Sequence, residues 1–221
     1  MPDAPADQKA KALFNRGYAY GKLTPPEREK GIADYTAVIA MPDAPVDRKA
    51  NALFNRGVRY GELTPPEREK AIADYTAVIA MPDAPADQKA RALVNRGFAY
   101  GELTPPEREK EIADCTAVID MPDAPADQKA MALFNRGNAY RKLTPPEHEK
   151  GIADYAAVIA MPDAPADEKA KALNNRGNAY RKLTPPEREK GIADYTAVLL
   201  MSDVPEYIKR TAQENLDSMQ S

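Results

Sequence analysis

Side chains that could do chemistry are few in this chain, and the most reactive types occur once each. The only histidine is His148 and the only cysteine is Cys115. A nucleophilic cysteine needs a base beside it, and a zinc site needs several cysteine or histidine ligands. Neither pattern occurs, and there is no phosphate-binding glycine loop or nucleophile elbow. We therefore predict a protein that is not an enzyme, with no catalytic residue, no metal and no cofactor.

Arginine and aspartate, in contrast, recur at a fixed spacing. Arg16 and Asp34 each reappear every 40 residues, five times in all. An active site is needed only once, so this repetition favours a structural role. We predict that each arginine forms an ion pair with the aspartate of its own copy. The expected pairs are Arg16–Asp34, Arg56–Asp74, Arg96–Asp114, Arg136–Asp154 and Arg176–Asp194.

The same period organises almost the whole chain. Of the 40 positions in the repeat, 26 are identical in all five copies. A period of this length is typical of solenoids, in which each unit buries its apolar face against its neighbours. We expect one continuous domain of five repeats and a C-terminal capping helix. The segments are 1–40, 41–80, 81–120, 121–160, 161–200 and, for the capping helix, 201–221.

The spacing of apolar and small residues predicts two helices in each repeat. Ala10, Leu13, Gly17 and Tyr20 share one face of a helix, and a second set at helical spacing lies within residues 32–39. Neither helix can bury its apolar stripe alone. Each repeat is therefore expected to be a helical hairpin that stacks on the next.

Prolines mark the boundaries between these helices. Thr24 is expected to cap the second helix, with Pro25 at its first position and Glu27 completing a capping box. The predicted bounds are about residues 4–22 for the first helix (helix A) and about 25–40 for the second (helix B).

A second proline cluster separates one repeat from the next. Pro42 cannot continue the preceding helix. Asp43 or Ala44 is then expected to cap the following helix A, with Pro45 in its first turn.

The hairpin resembles a tetratricopeptide repeat (TPR). Leu13 stands at the family's Trp position, Gly17 at its Gly, Tyr20 at its Tyr and Tyr35 at its Phe, and Pro42 lies near its Pro. The unit is longer than the family's form of about 34 residues, and Sel1-like repeats match less well. The resemblance implies an all-α fold, an α-solenoid forming a right-handed superhelix. It also implies that helix A lines the concave side, where TPR proteins hold peptides.

Positions beside the fixed core of helix A differ from copy to copy. One residue is about 100° around a helix, so these positions form a stripe next to the core face. The stripe is apolar in the first three repeats and rich in amides and arginine in the last two. The candidate peptide-binding residues are Phe14, Tyr18, Phe54, Val58, Val94, Phe98, Asn138, Arg141, Asn174, Asn178 and Arg181.

This stripe predicts a scaffold that binds a protein or peptide segment with apolar side chains and an acidic end. Three alternatives remain open, one of which is an accessory segment of a larger enzyme. Phe14, Phe54 and Phe134 could pack between helices, with their variation being drift after duplication. The first repeat also has no cap, which would allow copies to stack end to end as a structural, self-associating array.

Charge and hydropathy narrow the class of partner. The net charge of −3 gives no reason to expect nucleic acid or a membrane surface as partner. Neither a long apolar run nor a basic leader followed by an apolar segment is present. A cytoplasmic protein is therefore expected.

Overall fold

A computed structural model describes residues 5–220 of the chain. Within them the secondary structure is entirely helical, with eleven α-helices and no strand. They are α1 (Ala6–Tyr20), α2 (Arg28–Ala40), α3 (Val46–Gly61), α4 (Arg68–Ala80), α5 (Ala86–Gly101), α6 (Arg108–Asp120), α7 (Ala126–Arg141), α8 (His148–Ala160), α9 (Ala166–Lys182), α10 (Arg188–Leu200) and α11 (Glu206–Gln220). The odd-numbered helices α1 to α9 are the five copies of helix A.

The helices form two compact units, Met1–Glu107 and Arg108–Ser221. In the first unit each helix packs against the next from α1 to α5, and in the second the same holds from α6 to α11. Successive copies of helix A also touch, α1 with α3, α3 with α5 and α7 with α9. These contacts confirm the predicted all-α arrangement of stacked hairpins. The handedness of a superhelix and the single continuous domain remain predictions.

A close approach of the two helices explains the invariant glycine of helix A. A Cβ on Gly57 would lie 2.8 Å from Cε1 of Tyr75, the buried tyrosine of α4. The equivalent distance for Gly177 and Tyr195 is 2.7 Å. Real Cβ atoms do not approach other atoms this closely, so only glycine lets the tyrosine ring pack on the helix backbone.

The connector inside each hairpin differs from the prediction. Helix B begins at Arg28, three residues later than expected, and Glu27 rather than Thr24 is its N-cap residue. No side chain caps the helix, so the predicted Thr24 cap and capping box are wrong. The Thr24–Pro25 peptide bond is cis, as are its four equivalents. A backbone bond closes the connector instead, from the Glu27 N–H to the Tyr20 carbonyl at 3.0 Å.

The connector between repeats is closer to the prediction. Pro45 is itself the N-cap residue of α3, one or two residues after the expected Asp43 or Ala44. Its carbonyl accepts the Lys49 N–H at 3.0 Å, and the Lys49 ammonium reaches back to the Pro42 carbonyl at 3.0 Å. The same lysine contact recurs in the next three repeats. A fixed lysine therefore secures each turn between repeats.

The last helix covers the final hairpin. Val204, Ile208, Ala212 and Met219 are buried against α9 and α10. The outward positions of α11 are mainly polar, which confirms the predicted capping role. Among the described residues, no helix has both the length and the apolar character needed to cross a bilayer.

Candidate protein-binding surface

The varied positions of helix A form two rows with different surroundings. Row 14 denotes the residues at the phase of Phe14, and row 18 those at the phase of Tyr18. Row 14 contains Phe14, Phe54, Val94, Phe134 and Asn174. Row 18 contains Tyr18, Val58, Phe98, Asn138 and Asn178.

Row 14 belongs to the core. Phe54, Val94 and Asn174 are buried, and Phe14 and Phe134 are half-buried. The phenylalanine rings pack against the helix B tyrosines, with centroids 5.5 to 5.9 Å apart. Such tilted aromatic pairs contribute about 0.5–1.5 kcal/mol beyond their area burial. The expectation that Phe54, Val94 and Asn174 line an open surface is therefore wrong, and packing between helices explains their positions.

Asn174 shows how the core tolerates an amide at a row 14 position. The helix A of the last repeat is covered by α11, and Asn174 Nδ2 donates to the Ile208 carbonyl at 3.3 Å. A buried amide costs free energy unless it is hydrogen-bonded. This asparagine therefore connects the repeat to its cap and is not available to a peptide.

Row 18 is open in the first unit. Tyr18 is 47% exposed and Phe98 is 56% exposed, while Val58 is half-buried. The Lys22 ammonium lies 5.2 Å from the Tyr18 ring centroid, a weak cation–π contact at an exposed site. Tyr18, Val58 and Phe98 are therefore the row 18 candidates of this unit, and each retains surface that a partner could touch.

In the second unit, row 18 hydrogen-bonds to buried tyrosines. Asn138 Oδ1 accepts the Tyr155 hydroxyl at 2.7 Å, and Asn178 Oδ1 accepts the Tyr195 hydroxyl at 3.1 Å. Most buried hydroxyl groups have such a partner. The two asparagines thus have an internal function that their row position alone did not indicate.

The candidate arginines of the second unit also have internal partners. Arg141 Nη1 lies 3.4 Å from the Tyr155 hydroxyl, and Arg181 Nη1 donates to Ser218 Oγ of α11 at 3.0 Å. The exposed cations beside them are Lys142 and Lys182.

The repeated arginine and aspartate form the predicted pair wherever both residues lie in one unit. Four of the five pairs have both residues in one unit, and in each the guanidinium makes two hydrogen bonds to the carboxylate. The distances from Nε and Nη2 to the two carboxylate oxygens are between 2.6 and 2.9 Å. These bidentate pairs tie helix A to helix B.

The same arginine also joins neighbouring repeats. Arg56 Nη1 donates to Thr36 Oγ1 of the preceding helix B at 2.9 Å, and Arg136 does the same to Thr116 at 3.0 Å. Ala156 replaces this threonine in the fourth repeat. The arginines are therefore parts of the scaffold rather than a ligand site.

Cys115 and His148 have surroundings that differ from those of a reactive group. Burial first, and then the carboxylates of Glu111 and Asp114, raise the pKa of the Cys115 thiol to about 12. Partial burial and the nearby Arg141 cation lower the pKa of His148. Cys115 is therefore a thiol, not a thiolate, at neutral pH. The described residues contain no cluster of three or more His, Cys, Asp or Glu side chains that could hold a metal.

A cleft lies beside row 18 in the first unit. Its volume is about 210 Å³, and it opens between α3, α4 and α5. Its lining is mainly apolar, and its charged residues are Glu62 and Arg68. The lining residues are Val58, Gly61, Glu62, Arg68, Ala71, Tyr75, Asn95, Phe98 and Ala99.

The sequence did not indicate this cleft. One departure from the repeat pattern could have drawn attention to this region. Arg59 stands at a repeat position where the other four copies have alanine. Comparison with known proteins gives no family: no family model, curated protein or solved structure matches the chain.

Proposed function

We propose that the chain is a non-enzymatic TPR-like scaffold that binds an extended protein segment along helix A of its first unit. The observation that carries this proposal is the exposure of Tyr18 and Phe98, two large aromatic side chains on well-packed helices. Exposed aromatic residues on a rigid surface are the typical anchors of protein interfaces. Val58 and the adjacent cleft provide apolar surface between them.

The partner class follows from the same residues. Tyr18, Val58 and Phe98 suit apolar side chains of the segment. The acidic end that the sequence predicts for the segment stays a prediction, because the guanidinium groups of Arg141 and Arg181 have internal partners. The cytoplasmic location expected from the sequence stays a prediction.

The test is peptide selection followed by point substitution. A random peptide library displayed on phage is selected against the full chain, and an enriched peptide is titrated against variants. The double variant Tyr18→Ser, Phe98→Ser should bind at least about tenfold more weakly, a loss of about 1.4 kcal/mol. Its helical circular dichroism and melting temperature should match those of the parent chain, since both side chains are exposed.

Tyr207→Ser is the matched control. Tyr207 is an exposed aromatic residue of α11, outside row 18, and its loss should leave peptide affinity unchanged. The proposal fails if no peptide is enriched. It also fails if the double variant binds as tightly as the parent chain.

One observation favours end-to-end association as a second function. Ala12 on α1 is exposed, whereas its equivalents Ala52, Ala92, Ala132 and Ala172 are buried in the stack. Helix α1 thus exposes apolar surface that is buried at the equivalent position of the later helices A. The opposite end is occupied by α11, so stacking onto the last repeat would have to displace that helix. Light scattering over a dilution series distinguishes a stacking array from a monomeric scaffold.

A further inference from the structure

In three other repeats, a side chain of the protein lies against a residue that corresponds to a lining residue of the cleft beside row 18. In the first repeat this side chain is Arg59 of α3. A Cβ on Gly21 would lie 2.5 and 2.8 Å from its two terminal nitrogens, so the guanidinium covers this glycine. Arg59 is buried, and its charge lies close enough to Tyr35 to oppose the rise in the tyrosine pKa that burial causes.

In the last two repeats, other side chains lie against the glycine that corresponds to Ala71, another lining residue of the second-repeat cleft. In the fourth, the Arg141 side chain lies 3.2 Å from the Cβ position of Gly151, and its guanidinium reaches the Tyr155 hydroxyl. In the fifth, Met219 of α11 lies 2.7 Å from the Cβ position of Gly191.

In the second repeat, no side chain of the described residues fills the cleft. Ala99 stands where Arg59 stands one repeat earlier, and no atom lies within 4 Å of a Cβ placed on Gly61. Tyr75 lines this cleft and is 4% exposed. No residue in the described part of the chain hydrogen-bonds to its hydroxyl, and the same is true of the Tyr35 hydroxyl in the first repeat, whereas Tyr155 and Tyr195 both have partners.

The charges beside the cleft also match those of the first repeat, since Arg68 of the cleft lining pairs with Glu102. In the first repeat the Glu62 carboxylate holds two arginines, Arg28 at 3.5 Å and Arg59 at 2.5 Å. In the second repeat Glu102 holds the equivalent of Arg28, which is Arg68, at 3.4 Å. Glu102 follows Ala99 by three residues, as Glu62 follows Arg59. The carboxylate is therefore placed to accept a second guanidinium that none of residues 5–220 supplies.

We propose that the second-repeat cleft binds the side chain of an arginine from a partner protein segment. The methylene groups would pack on Val58, Ala71 and Phe98, and the guanidinium would donate to Glu102 and to the Tyr75 hydroxyl. An apolar occupant of the same length would cover that hydroxyl without giving it a hydrogen-bond partner, which is unfavourable. The inference rests on the proposed function, because Val58 and Phe98 border both sites.

Capped amino acids test this directly. The full chain is labelled with fluorophenylalanine, which gives one ¹⁹F signal for each of its four phenylalanines. It is titrated with N-acetyl-arginine amide, and with the citrulline and methionine amides as neutral and apolar comparators. The Phe98 signal should shift saturably with the arginine compound, and the dissociation constant should be at least about tenfold lower than for either comparator. The Phe134 signal should not move.

Two variants close the cleft in the ways the chain itself uses. Ala99→Arg reproduces Arg59, and Gly61→Arg reproduces Arg141 at its own phase. Both substitutions should abolish the shift. Two variants are used so that the test still stands if one of them folds poorly. Equal binding of a comparator, arginine binding that survives both variants, or no saturable shift would each overturn the inference. If peptides are still enriched and still need Tyr18 and Phe98, the proposed function stands without it.

Discussion

Replacing Phe54 with alanine is expected to destabilise the chain by about 3 kcal/mol. The ring is buried, packs 5.7 Å from the Tyr75 ring centroid and is covered by the Arg91 guanidinium at 4.3 Å. Removing it leaves a cavity between α3, α4 and α5 that the surrounding helices can fill only in part. Thermal and urea unfolding followed by circular dichroism measure the loss.

Phe98→Ala is the matched control, because it removes the same side chain from helix A of the next repeat. Phe98 is mostly exposed, so its substitution should change the stability by no more than about 0.5 kcal/mol. Equal losses for the two variants would show that rows 14 and 18 do not differ in burial, and would remove the basis of the proposed surface.

The second large effect is expected at the invariant glycine of helix A. Gly57→Ala places a methyl group 2.8 Å from Tyr75 Cε1, so the buried ring or the backbone of α3 must shift. We expect a destabilisation of about 1–3 kcal/mol from overpacking. The gain in helix propensity of up to about 1 kcal/mol offsets only part of it. The melting temperature should therefore fall.

Gly61→Ala makes the same chemical change one turn later in α3. A Cβ there meets no atom within 4 Å, so only the helix propensity changes. The expected result is a slightly higher melting temperature, equivalent to about 0.5–1 kcal/mol. A destabilised Gly61→Ala, or a Gly57→Ala as stable as the parent chain, would contradict the packing described here.

The period and the fixed core positions were sufficient to predict the helices and their pairing. Ala10, Gly17, Tyr35 and Val38 are all buried, as their spacing requires. The Thr24 cap failed for a local reason. The residues around Thr24 fit a capping box, but the chain needs a longer connector, which a backbone bond from Glu27 to the Tyr20 carbonyl closes.

The candidate surface was harder to predict. Helical spacing shows to which side of a helix a residue points, but it does not show which neighbouring helix lies on that side. Phe54 and Phe98 are both varied aromatic positions of helix A, yet one meets Tyr75 and the other meets solvent. Asn138 was expected to face a ligand but accepts the Tyr155 hydroxyl. Such partners come from other helices, so the pattern within one helix cannot reveal them.

Hydroxyl-radical footprinting of the full chain, alone and with an enriched peptide bound, tests most directly whether row 18 of the first unit is the binding surface. In the free chain, Tyr18 and Phe98 should be oxidised quickly and Phe54 slowly. With the peptide bound, Tyr18 and Phe98 should be protected and Phe54 unchanged. Oxidation of Phe54 as rapid as that of Phe98, or rates for Tyr18 and Phe98 that the peptide does not alter, would contradict the account.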